Sequence, residues 1–203
     1  MKFDPVTLAS IVVFILLVVL AATYMVPVFD NPEMVASGPP LHKNTGLQLM
    51  DGESYTYLYT TTNSSMEITY EVHDGPGCTM ITLPDAGGSA AVCLDGSGER
   101  VTGTEGGMGD PTVLLFRPWM LALNDSWTWN SSLYLSFSGS QEHISDTYYR
   151  VVRRDSYLDR EAFLVEVKAD AGEPEYQWID AEKRISLRIV GEDYEVVLKN
   201  WSS

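Results

Sequence analysis

Hydrophobic and polar positions fall into three regimes along the chain. From Val6 to Val28 no residue is charged, and the stretch 8–22 is almost wholly aliphatic. A run of that length matches the ~20 residues a helix needs to cross a bilayer. Asp4-Pro5 supplies a helix start, and Pro27 followed by Asp30-Asn31-Pro32 ends it. Residues 29–46 carry closely spaced Pro, Gly and Asn and read as a stalk. From Leu47 onward the period changes to two. Tyr55, Tyr57 and Tyr59 alternate with Ser54, Thr56 and Leu58, and Met66, Ile68, Tyr70 and Val72 alternate with Glu67, Thr69 and Glu71. Runs at 78–83, 89–94 and 112–117 read as further strands, with a Gly-rich loop over 95–111. Trp127, Trp129, Leu133, Leu135 and Phe137 share one parity, opposite Thr128, Asn130, Ser132 and Ser136. Phe163, Val165 and Val167, then Ile185, Leu187 and Ile189, then Tyr194, Val196 and Leu198 repeat the pattern. The prediction is a mainly β protein. A single N-terminal transmembrane helix precedes about ten short antiparallel strands in meander order, arranged as a curved sheet or half-barrel, or as a sandwich.

One short pattern occurs twice. Gly52-Glu53-Ser54-Tyr55-Thr56-Tyr57 is echoed by Asn124-Asp125-Ser126-Trp127-Thr128-Trp129, each with a leucine three residues earlier, Leu49 and Leu121. Downstream, 68–72 resembles 148–152, 78–83 resembles 162–167, and 92–96 resembles 177–181. An internal repeat is the simplest account, and two unrelated hairpins with shared turn chemistry are the alternative. With the repeat, the chain divides into an anchor (1–28), a stalk (29–46), a first β unit (47–117) and a second (118–203).

The N-terminal segment has four readings. A cleaved signal peptide would have a shorter apolar run and a small-residue exit, for which Val19-Leu20-Ala21 is a weak candidate. A lipoprotein signal would end in cysteine, and a pilin-type leader would carry a Lys/Arg-Gly pair before the apolar run; neither is present. We therefore read an uncleaved signal anchor. Lys2 before the segment and Asp30 and Glu33 after it orient the domain outside the cytoplasm. Two features agree with that side of the membrane. Asn63, Asn124, Asn130 and Asn200 each begin an N-x-[ST] acceptor for glycosylation. Cys78 and Cys93 are the only cysteines, lie in consecutive strand-like runs, and read as a disulfide.

Charge narrows the function. The formal net charge is −15, which argues against a nucleic-acid partner and against electrostatic docking on anionic lipid. Such acidity fits a solvated extracellular surface, or a high-salt habitat of the archaeal-envelope kind. Catalytic patterns are missing. His42, His73 and His143 lack metal-ligand spacing, no serine nucleophile elbow occurs, and Gly103–Asp110 has no lysine for a phosphate loop. Asp95-Gly96-Ser97-Gly98-Glu99 spaces oxygens as calcium loops do, yet its counterpart Asp180-Ala181-Glu182-Lys183 inserts a base, so a hairpin turn is the better reading. Asp155, Asp159 and Glu161 are interleaved with Arg153, Arg154 and Arg160 and read as a solvated turn. No catalytic, metal or cofactor residue is expected.

The order Asn124-Asp125-Ser126-Trp127-Thr128-Trp129, Tyr148-Tyr149-Arg150-Val151-Val152, 161–167, Tyr176-Gln177-Trp178-Ile179-Asp180 and 191–196 resembles the curved-sheet proteins grouped with the LolA/LolB lipoprotein carriers, and their exported relatives more closely. The resemblance covers about residues 47–201 and implies a half-barrel of antiparallel strands with an apolar concave face. The carriers cover that face with helices, for which no pattern is found here. The expected function is a membrane-anchored, non-enzymatic β domain outside the cytoplasm, serving as an accessory subunit that contacts protein partners in a membrane or envelope assembly. Trp119, beside Arg117-Pro118, is its interface candidate. The alternative is a binder of lipid or another apolar ligand, and a pilin-like filament subunit is the weaker one.

Overall fold

In a computed structural model, residues 33–83, 90–101, 112–137, 140–170 and 172–202 are described. The expected anchor, 1–28, lies outside them. Among the described residues no helix is long and apolar enough to cross a membrane. The described residues divide into two compact units: 36–133 with 145–203, and 33–35 with 134–144. In the smaller unit the Tyr134 ring meets His143 edge-on at 5.5 Å.

A short strand, β1 (Glu33–Ser37), precedes the rest. The first half of the chain then supplies β2 (Ser54–Thr61), β3 (Ser65–Gly75), β4 (Cys78–Leu83) and β5 (Ala90–Leu94). After a 3₁₀ turn at Pro118–Ala122 come β6 (Thr128–Phe137), β7 (Ser140–Tyr157), β8 (Arg160–Ala169), β9 (Glu175–Asp180), β10 (Ser186–Val190) and β11 (Tyr194–Ser202). Strands β2 to β11 lie in the order β6-β7-β8-β9-β10-β11-β2-β3-β4-β5. This is one open antiparallel sheet rather than a two-sheet sandwich. The echoing sequence copies fall on β2–β5 and β6–β9, two four-stranded meanders joined through β10 and β11. The seam is the β11–β2 pairing, which registers Leu198 with Tyr57 and Val196 with Tyr59. Bulges interrupt β7 between Val151 and Arg153 and β11 between Leu198 and Asn200, adding local bend and twist.

Period-2 patterning places the core on one face. Tyr55, Tyr57, Tyr70, Val72, Ile81, Val92 and Leu94 from the first meander are buried, as are Phe163, Val165, Ile179, Ile189, Val196 and Leu198. The Tyr57 hydroxyl crosses the core and donates to the Ser186 carbonyl at 2.6 Å. Two turns that the sequence paired are built alike. Asp95 accepts hydrogen bonds from the Ser97 and Glu99 amides, and Asp180 accepts from those of Glu182 and Lys183. Both carboxylates hold hairpin turns.

The sequence misassigned the segment after the Gly-rich loop. Residues 112–117 were expected to be a strand. They form a turn closed by Leu115 and Phe116 amides on the Thr112 carbonyl, and the chain continues directly into the 3₁₀ turn. Leu115, Phe116, Met120, Leu121 and Leu123 are essentially inaccessible and pack with the inner-face residues of the sheet. A short run with apolar residues at nearly every position has no period that separates a buried strand from an enclosed turn. The expected domain boundary at 117/118 falls inside this continuous plug. Ser186 donates its amide to the Leu115 carbonyl, and Arg184 donates to the Leu123 carbonyl.

Part of the expected stalk is also tied down. Asn44 donates its amide to the Leu121 carbonyl at 2.8 Å and its side chain to the Ala122 carbonyl at 2.7 Å. Trp129 donates its indole N–H to the Pro39 carbonyl at 3.0 Å. Residues 39–44 thus lie along the plug and β6.

Candidate ligand cleft

The plug packs against the sheet's inner face and leaves a space beside residues of β6 to β11. A cleft of about 480 to 640 Å³ remains at two places beside the plug; the larger, about 640 Å³, is lined by inner-face residues of β6 to β11. Its walls are mainly apolar. Leu114, Pro118 and Trp119 come from the plug, Trp129 and Leu133 from β6, Tyr149 from β7, and Ile189 from β10. The aromatic wall is ordered by ring contacts. Trp119 stacks on Trp127 at 5.5 Å with 14° between planes, and Tyr149 lies 5.3 Å from Trp119 and 5.2 Å from Trp129. Burial raises the Tyr149 hydroxyl above its ordinary range, with Arg117 opposing the shift. An uncharged phenol in such a wall presents an apolar ring.

Polar groups enter the cleft from several elements: Glu99, Arg117, Ser131 on β6, Ser145 and Thr147 on β7, and two residues of β9. Glu175 and Gln177 both line it. Gln177 donates to Glu175, and the Tyr194 hydroxyl on β11 donates to the same carboxylate. Burial first, and then that carboxylate, push the Tyr194 hydroxyl well up. Gln177 Oε1 is buried without a hydrogen-bond partner. An apolar cleft with a few fixed polar groups is the usual form of a small-molecule site.

The sequence-based candidates are dispersed differently. Trp119, the interface candidate, lies in the cleft wall. It is 7% exposed and stacks in the core, because Pro118 starts a turn that points the next residues at the sheet. Arg117 lies at the cleft. Cys78 and Cys93 form the disulfide, with Cα atoms 5.7 Å apart across the β4–β5 hairpin. Asn63, Asn124, Asn130 and Asn200 are all exposed. Asn124 accepts the Ser126 amide at 3.0 Å, an Asx turn that opens β6. His73 lies 3.5 Å from Glu71, and His143 packs on Tyr134. Sequence reasoning missed the plug and missed Glu175 and Gln177. The signal was present on β9, where Glu175 and Gln177 occupy inner positions while Trp178 faces Tyr157 and Arg188 on the other side.

No family model and no curated protein matches the chain. Similar solved structures include a protein with a YmcC-like fold from Bacteroides fragilis NCTC 9343, at 11% identity over 78% of this chain and 99% of that one, with TM-score 0.38. Another is a DUF1329 family protein from Desulfovibrio piger ATCC 29098, at 9% identity over 76% and 85%, with TM-score 0.25. A third is a domain of an outer membrane lipoprotein-sorting protein from Vibrio parahaemolyticus, at 7% identity over 74% and 85%, with TM-score 0.24.

Proposed function

We propose that this protein is an extracytoplasmic binding protein whose inner-face cleft holds an apolar ligand. The observation that carries the reading is the 640 Å³ cleft, walled by Trp119, Trp129, Leu133, Tyr149 and Ile189. The volume lies within the range of small-molecule sites, and the burial offered is mainly aromatic and aliphatic. The disulfide supports a location outside the reducing cytoplasm. The role is binding rather than catalysis. Membrane attachment through residues 1–28 and glycans at Asn63, Asn124, Asn130 and Asn200 belong to the same proposal; the apolar run and the exposure of those asparagines support them. The accessory-subunit reading is weaker here, because Trp119, its contact candidate, is enclosed.

Native mass spectrometry of the full chain, purified without denaturant from the cells that make it, tests the reading. A stoichiometric apolar adduct on the single chain is expected. Copurifying polypeptides in fixed ratio with no small adduct would overturn it in favour of the accessory subunit.

A further inference from the structure

β9 breaks the pattern of the face it belongs to. Cross-strand register aligns Val151, Val165, Gln177, Ile189 and Val196 in one inner row. Four members of that row are buried aliphatic residues, and Gln177 is the exception. The neighbouring row aligns Tyr149, Val167 and Glu175. Binary patterning calls for apolar residues at both positions. A polar residue that violates the pattern without local compensation points to function. Compensation at β9 is partial. Glu175 collects the Tyr194 hydroxyl and the Gln177 amide N–H. Gln177 Oε1 is left as a buried acceptor with no donor, a state that ordinarily costs stability. On β9, therefore, one buried acceptor of the cleft wall is unmatched.

We propose that the cleft selects an apolar ligand carrying a hydrogen-bond donor, such as a hydroxyl, at the end that reaches β9, where Gln177 and Glu175 receive it. This rests on the apolar-ligand reading above and names the ligand's chemistry. A carboxylate end would bring no donor to Gln177 Oε1 and would leave it unmatched. Donation to an acceptor otherwise left bare is the contact for which a site discriminates most strongly.

A matched pair of neutral probes isolates the donor: dodecan-1-ol, which donates, and dodecyl methyl ether, which only accepts. Binding of each to the full chain is read from the fluorescence of Trp119 and Trp129 in the cleft wall. The alcohol is expected to bind roughly tenfold more tightly, the scale for satisfying one buried acceptor. In Gln177→Leu, which completes the apolar row, the difference is expected to vanish while the ether still binds and the unfolding midpoint rises. Equal binding of the two probes to the natural chain, or a preference that survives in Gln177→Leu, would overturn the donor requirement and leave the apolar cleft intact. Failure of both probes to bind would overturn this inference together with the reading it rests on.

Discussion

Lys183 reaches across 130 positions of sequence to form an ion pair with Glu53. Glu53 is 3% exposed and also accepts the Met50 amide at 2.9 Å and the Tyr55 hydroxyl at 2.7 Å. The pair joins the turn before β2 to the turn between β9 and β10, so it fastens the first meander to the end of the second. Removing the cation strands a buried carboxylate, and Lys183→Met is expected to cost on the order of 3 kcal/mol in urea unfolding.

The same carboxylate makes stability depend on acid. Burial alone would raise Glu53, but Lys183, the Met50 amide and Tyr55 together hold it below its ordinary value. A depressed folded-state value means stability that is present at neutral pH and lost as pH falls through the carboxylate range. Unfolding midpoints at pH 7 and pH 3 should therefore fall further for the natural chain than for Glu53→Gln. An equal fall in both would show that the acid response comes from other carboxylates.

The disulfide closes the hairpin nearest the sheet edge at β5. The Cys78→Ser, Cys93→Ser double variant is expected to lose about 3 kcal/mol by the chain-entropy account for a loop of this size. Denaturant titration of the oxidised chain against the variant measures it.

Trp119 distinguishes a core residue from a surface contact. Trp119→Ala is expected to lower stability by about 3 to 5 kcal/mol, as for other large buried aromatics. A fully stable Trp119→Ala chain would restore the surface role. Gly98 tests the plug from the opposite side. It adopts φ +75°, and a Cβ there would lie 2.8 Å from Phe116 Cζ. Gly98→Ala therefore combines backbone strain with a clash against the plug, and a loss of at least about 1 kcal/mol is expected in thermal unfolding.

The strands were legible because their physics is local. Alternation at 54–59, 163–167 and 194–198 reports which side of a half-buried sheet each residue faces, and those runs became β2, β8 and β11. Two matching turns were legible through their chemistry, since Asp95 and Asp180 each accept amide hydrogens from the residues that follow. The plug was not. Thr112–Arg117 is short and apolar, and its period cannot separate a buried strand from an enclosed turn; what decides is the sheet face waiting for it, a long-range fact. The same holds for residues 39–44, whose Pro and Gly spacing looks like a linker but whose hydrogen bonds reach Leu121, Ala122 and Trp129. The cleft is the remainder left when the plug covers only part of the inner face, so no single stretch encodes it. Gln177 could have been noticed as a polar residue on the apolar side of β9, but only after its register with Val165 and Ile189 was known.

Filling the cleft tests the central claim most directly. Thr147 and Ser131 line it with side chains that are neither core nor paired ions, so Thr147→Trp and Ser131→Trp should occupy the space while the sheet is kept. Titration of the full chain with the apolar fluorophore N-phenyl-1-naphthylamine is expected to show saturable binding of one molecule per chain, lost in the filled variants, with unchanged circular dichroism. Binding that persists unchanged in both folded variants, or no binding to the natural chain, would contradict the account.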